Sequence, residues 1–170
     1  MQQTQPAKPV TLNRAKQVGE CISVDFSYLS LRPPEANDET LHKLLLAHIV
    51  DEASRFHVCV ILKEGNFRSD KAIGNVNSKE FINFIQQNWI RFFQSPKRMH
   101  VDAENLFNSE EILNYMTRHD IAVRQCAGEA HWQNGLVERH IKTITNTIQK
   151  LYLDAPSNSC TLQEIVDAAT

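Results

Sequence analysis

Residues 130–140 read AHWQNGLVERH, and two local rules disagree over them. Asn134-Gly135 between apolar neighbours is a strong hairpin signal, because both residues tolerate the positive φ of a type I′ turn. The sequence downstream has another period. Leu136, Val137, His140, Ile141, Ile144 and Ile148 recur at helical spacing, not in alternation. They predict an amphipathic helix over about 134–153, ended by Pro156 and the polar residues after it. Asn134-Gly135 then belongs to a loop over 126–135 that opens into the helix, with Gly135 supplying backbone freedom. Glu138 falls in the first turns of that helix.

Working outward, CISVDFSYL (21–29) alternates and is rich in β-formers, so it predicts a strand. SLRPPEANDE (30–39) is a loop by its proline pair and polar residues. LHKLLLAHIVDEASRFHVCVIL (41–62) holds two apolar runs, 44–50 and 56–62, on either side of a DEASR turn. These predict two adjacent antiparallel strands, with a short helix over 40–46 as the alternative; 63–77 reads as a connection. Asn77 followed by Glu80 is a capping-box pattern. Phe81, Phe84, Ile85, Trp89 and Phe92 follow at helical spacing, with Pro96 beyond them. Phe81, Phe84 and Ile85 are expected in the core. KRMHVDAE (97–104) and DIAVRQC (120–126) predict short strands around a helix over 108–119, with Asn108 as its cap and Glu111 at N3. A last helix begins at Thr161 with Glu164 at N3.

The order is three strands, then helix, strand, helix, strand, helix. That is an α/β domain with a mixed five-stranded sheet, an antiparallel meander followed by strands alternating with flanking helices. Residues 1–19 are Gln-rich, contain Pro6 and Pro9, and read as a linker; 20–170 read as one domain whose last helix is expected to be truncated.

Composition sets outer limits. Of 170 residues, 42% are hydrophobic and 22% charged, the profile of a globular domain and not of a disordered or membrane-spanning chain. No apolar run reaches membrane-spanning length, and the polar N-terminus lacks a signal-peptide core. A cytoplasmic or nuclear protein is expected. Cys21, Cys59, Cys126 and Cys160 show no zinc-module spacing and are expected to be free thiols. The net charge of −2 and pI near 6.4 argue mildly against a broad nucleic-acid footprint. An enzyme that meets DNA through a metal and a few local cations is compatible with them.

Three of the 20 acidic residues stand out by position. Asp25 interrupts an apolar strand, Asp102 follows the apolar end of another, and Glu138 opens the long helix. Singly, each has an ordinary explanation: a solvent-facing strand position, a turn opener, and a helix N-terminus where the dipole favours negative charge. Together, two strand carboxylates and one helix carboxylate can meet at one end of a sheet. Three hard oxygen donors suit Mg²⁺ or Mn²⁺. Two such ions can activate an attacking hydroxyl and stabilise a leaving 3′-oxygen in phosphoryl transfer, with Asp25 shared between them.

The same residues resemble a known family. Thirty-five residues separate Asp102 from Glu138, the D,D-35-E spacing of retroviral and retrotransposon integrase catalytic cores. VDFSYL resembles the first-Asp strand, IVDEASRFHVCVIL the D-x-x-S-R hairpin, HVDAENLFNSEEILNYM the second-Asp block, and HWQNGLVERHIKTI the NG-x-x-E block. The resemblance covers roughly residues 20–153. It implies a ribonuclease-H-like fold, two divalent ions held by Asp25, Asp102 and Glu138, and 3′-end processing and strand transfer of element DNA into target DNA. It implies no small-molecule cofactor and no membrane partner. It further implies DNA contacts by Asn134 and Lys142, and a homodimer or higher oligomer. Arg139 is expected either to meet phosphate or to lie on plain surface, and Trp132 either to stack on DNA or to anchor its loop. His131 and His140 are expected to be structural.

Departures are local. Glu104 and Leu106 stand where the second-Asp block has Gly and Glu. The segment between Asp25 and Asp51 is longer than is common, which suggests an insertion around 30–42. The His/Cys zinc domain and the basic C-terminal domain of the family are not in this sequence, which therefore reads as a core. Two other functions fit the same residues: a transposase or other nuclease of this fold, and a domesticated, non-catalytic module that binds nucleic acid or protein.

Overall fold

The computed structural model describes residues 15, 17–32, 40–68, 71–102, 105–126, 131–154 and 160–170, without the side chains of 105, 126, 131–134 and 136. Five strands form one sheet: β1 (Cys21–Leu31), β2 (Thr40–Asp51), β3 (His57–Arg68), β4 (Arg98–Asp102) and β5 (Ala122–Cys126). Their spatial order is β3-β2-β1-β4-β5. β1 pairs antiparallel with β2, and β2 with β3; β4 pairs parallel with both β1 and β5. The expected meander followed by alternation is the observed topology.

β1 and β2 lie inside the sheet. LLLAHIVD in β2 is buried throughout, the pattern of a strand covered on both faces. The alternative helix over 40–46 is not adopted, because these residues pair with both neighbours. The hairpins are longer than the sequence suggests. β1 runs on to Leu31 and β3 to Arg68, so the first six residues of the expected 63–77 connection are strand. Pairing with β2 overrides the Gly65 and polar residues that argue for a loop there. The two ends of the expected insertion, 30–31 and 40–42, are strand; 33–39 lie outside the described residues.

Helix α1 (Ser78–Ile85) carries the expected capping box, with Asn77 accepting from the Glu80 amide. The helix continues through a π turn (Gln86–Ile90) into a final turn, α2 (Arg91–Phe93). Phe81, Phe84, Ile85 and Trp89 are buried, as their spacing predicts, but Phe92 is 66% exposed. The wider π turn shifts the phase of everything after it, so the α-helical stripe no longer holds at Phe92. α3 (Glu110–Arg118) is capped by Ser109, which accepts from Ile112 N, not by Asn108. Two adjacent residues of capping type make that one-residue ambiguity invisible in the sequence. α4 (His131–Asp154) is the long helix, and α5 (Leu162–Ala169) carries the expected Thr161–Glu164 capping box.

The layers are helix, sheet, helix. Ile22, Val24, Ala47, Ile49, Met99 and Val101 face α1 and α3. Leu29, Leu31, Leu44, Leu46 and Cys59 face α4 and α5 through Ile144, Ile148, Ile165 and Val166. No helix among the described residues is long and apolar enough to cross a membrane. Cys21 and Cys59 are buried thiols, Cys160 is exposed, and the side chain of Cys126 lies outside the described residues.

Candidate metal centre and its surroundings

Strand register decides where the acidic residues sit. In the parallel β1–β4 pair, Val24 lies opposite Val101. Asp25 and Asp102, the next residue in each strand, therefore occupy matched positions on neighbouring strands, roughly 4.8 Å apart across the ladder. Val24 and Val101 face α1 and α3. By alternation both aspartates leave the opposite face, the one covered by α4. Asp102 is exposed, and Asp25 is half-buried with its Oδ1 accepting from Phe26 N at 2.8 Å.

Glu138 lies on α4, which packs against β1 and β5, the strands on either side of β4. Val137 is buried beneath the helix while Glu138 is exposed. The donor chemistry is three carboxylates, two of them at adjoining strand ends, and it suits a hard divalent cation.

AHWQNGLVERH is helical from His131 onward, so the Asn-Gly hairpin signal is overridden, as the downstream period predicts. The expected loop, however, does not extend to Gly135. Gly135 lies inside α4, has no left-handed φ, and its missing Cβ faces open space. Residues 127–130 lie outside the described residues, as do the side chains of His131, Trp132 and Asn134. Arg139 and Lys142 are exposed on α4, Lys142 one turn beyond Glu138. His140 is half-buried, its ring edge-on to His57 with centroids 5.6 Å apart. Leu106 packs against the core that contains Phe81 and Phe107. An apolar side chain there has a packing role, which accounts for that departure from the second-Asp block. Glu104 lies outside the described residues.

Two polar clusters on the same sheet face escaped the sequence reading. Ser27 Oγ lies 2.7 Å from His48 Nε2, and His48 Nδ1 lies 3.1 Å from His57 Nε2. Burial, with His57 adding to it, pushes His48 down to about 3; burial, with His140 adding to it, pushes His57 down to about 4. His48 was visible as a polar residue in an apolar run, but its partner depended on strand register. In the second cluster, Glu52 accepts from Ser23 Oγ at 2.8 Å and sits 2.5 Å from His100 Nδ1, with Cys21 beside them. Burial alone would raise the Glu52 carboxyl; hydrogen bonds from His100, Ser23 and Cys21 outweigh it and bring it down to about 2. Nothing local in the sequence joins these residues, because β1 meets β4 only in the folded sheet.

No protein-family model matches the sequence, and no curated protein matches it. Solved structures do. The chain is similar to a chain of the simian T-cell lymphotropic virus intasome, solved in complex with PP2A regulatory subunit B56 gamma, with a TM-score of 0.67 and 17% identity over 92% of this chain. It spans about half of that longer chain, 48%. It is also similar to the HTLV-2 integrase catalytic core domain in complex with magnesium (TM-score 0.65, 20% identity, 89% of this chain and 83% of that one). The BIV integrase catalytic core gives a TM-score of 0.62 at 14% identity, over 89% of this chain and 80% of that one. With its mixed five-stranded sheet and its helices on both faces, the chain has the fold of the retroviral integrase catalytic cores.

Proposed function

We propose that this chain is the catalytic core of a retrotransposon-type integrase, acting on DNA by metal-dependent phosphoryl transfer in 3′-end processing and strand transfer. The observation that carries the reading is the Val24–Val101 pairing of the parallel β1–β4 ladder, from which Asp25 and Asp102 are the next residues on adjacent strands, together with the packing of α4, which bears Glu138, on β1 and β5. These three carboxylates would hold Mg²⁺ or Mn²⁺, two ions in the complete site. Bound there, the ions supply Lewis-acid stabilisation of a phosphoryl group and lower the pKa of an attacking hydroxyl.

The chain's own residues then have separate tasks. In this reading the β1–β4 ladder sets the backbone at the two aspartates, and Glu138 on α4 completes the set. Lys142 and Arg139 offer exposed cations near Glu138 for phosphate oxygens. Asn134 and Trp132, on the first turns of the same helix, would meet the DNA end. A neighbouring HTLV-2 core is described in dimeric and trimeric forms, and self-association is proposed here too.

A disintegration assay on branched DNA tests the reading, with Mg²⁺ or Mn²⁺ and, where the core alone is silent, with integrase flanking domains fused to it. Strand joining is expected with the native protein. Asp102→Asn should lower it by roughly two or more orders of magnitude, since it removes a metal-ligating charge at unchanged size. Absence of metal-dependent joining or cleavage from every form would overturn the enzyme reading.

A further inference from the structure

Cys21, Glu52 and His100 come from β1, the β2–β3 turn and β4, yet their ligand atoms lie within 4.8 Å of one another. Cys21 Sγ is 3.9 Å from His100 Nδ1, and that nitrogen is 2.5 Å from Glu52 Oε1. We propose that these three side chains form a second cation site, for a thiophilic divalent ion such as zinc, distinct from the all-oxygen set of Asp25, Asp102 and Glu138.

Geometry is the first argument. Zinc takes sulfur at about 2.3 Å and nitrogen or oxygen at about 2.0–2.2 Å, which spaces tetrahedral ligands roughly 3.3–3.7 Å apart. The thiol and imidazole need to close by only a few tenths of an ångström, and the imidazole and carboxylate to open by less than about 1 Å. Side-chain rotation supplies both movements while the backbone stays fixed. That backbone is already tied together: Glu52 N donates to Cys21 O at 3.0 Å, and Ser23 pairs with His100 in the β1–β4 ladder. Ser23 Oγ donates to Glu52 at 2.8 Å, the outer hydrogen bond that orients a metal-ligating carboxylate.

Charge is the second argument. One thiolate, one carboxylate and one neutral imidazole exactly neutralise a dication, so the assembly suits a largely buried place. Burial pushes the Cys21 thiol up to about 12, so without an ion it stays protonated; binding would release that proton. Cys21 is fully buried, but the His100 and Glu52 side chains are 19% and 17% exposed, leaving one side open for a fourth ligand from water.

Selectivity separates the two sites. The thiolate disfavours magnesium, and the three carboxylates are better matched to hard ions. Ser23 and His100 precede Asp25 and Asp102 by two residues in each strand, on the same face. An ion bridging β1, β4 and the turn would therefore brace the strand ends that carry the aspartates.

The test is a cobalt titration of the intact protein in excess Mg²⁺, which occupies the carboxylate site. A near-ultraviolet thiolate-to-cobalt charge-transfer band saturating at one ion per chain, displaced by Zn²⁺, is expected. It should vanish in Cys21→Ser, weaken at least tenfold in affinity in Glu52→Gln and His100→Gln, and persist in Cys160→Ser. No band, or a band that survives Cys21→Ser, would overturn the site. Should Cys21→Ser fail to fold, X-ray absorption on the zinc-loaded native protein decides. One sulfur at about 2.3 Å supports the proposal, and a shell of oxygen and nitrogen alone refutes it.

Discussion

Asp51 shows how much one side chain can settle. It is fully buried, and its carboxylate accepts from Gly19 N at 2.8 Å and from Ser54 N and Oγ at 2.7 and 2.6 Å. Its backbone closes the turn as well, with Arg55 N donating to Asp51 O and Asp51 N to Phe56 O, both at 2.9 Å. Arg55 takes a left-handed φ of 71° to complete the turn. The D-x-x-S-R pattern is therefore a staple that joins the β2–β3 turn to the chain entering β1. Asp51→Ala would leave the half-buried Gly19 amide without its partner and turn the exposed Ser54 amide to water, and should cost about 1–3 kcal/mol, read as a lower urea midpoint with an unchanged m-value. A loss below about 0.5 kcal/mol would show that water replaces the carboxylate at no cost. Because Glu52 is the next residue, the same substitution should also loosen the Glu52–His100 contact.

Elements whose cues are local were legible in the sequence, and those fixed by long-range pairing were not. The Asn77–Glu80 and Thr161–Glu164 boxes mark two helix starts because donor and acceptor are three residues apart. The order of strands and helices followed from periodicity, β-former content and turn residues, all of them local. The far half of the β2–β3 hairpin was not legible, because Gly65 and its charged neighbours are strand only while β2 lies beside them. The same holds at the site: Asp25 and Asp102 could be picked out as acids in apolar strands, but their matched register and the Cys21–Glu52–His100 cluster appear only once β1 meets β4. In α4 the Asn-Gly pair makes its own prediction. Gly135→Ala meets no atom within 4 Å and needs no positive φ, so it should stabilise the protein by about 0.5–1 kcal/mol. Thermal unfolding measures that gain, and the joining assay measures its consequence. Unchanged stability would mean the helix start is not formed in solution. Higher stability with slower joining would identify Gly135 as a flexible point that the reaction uses.

At the scale of the whole molecule, the buried histidine pair links folding to pH. His48 and His57 titrate near 6.5 in the unfolded chain, but in the folded protein burial holds them down to about 3 and about 4. Between those limits the unfolded state binds protons that the folded state refuses. The native state is therefore favoured fully above about pH 6.5 and loses that advantage as the pH falls towards 4. The loss is on the order of several kcal/mol, a large part of a typical domain's total stability. Glu52, brought down from 4.5 to about 2, extends the decline below pH 4.5, because its native hydrogen bonds are lost only as it protonates. Urea midpoints measured at pH 7.5, 6.5, 5.5 and 4.5 should fall steadily below 6.5. A double variant, His48→Gln with His57→Gln, keeps side chains able to hydrogen-bond to Ser27 and to each other but removes the titration. Its profile should be flatter between pH 6.5 and 4.5. A native midpoint that stays level over that range would show that His48 and His57 take up protons in the folded state, and would refute a neutral imidazole pair beneath α4.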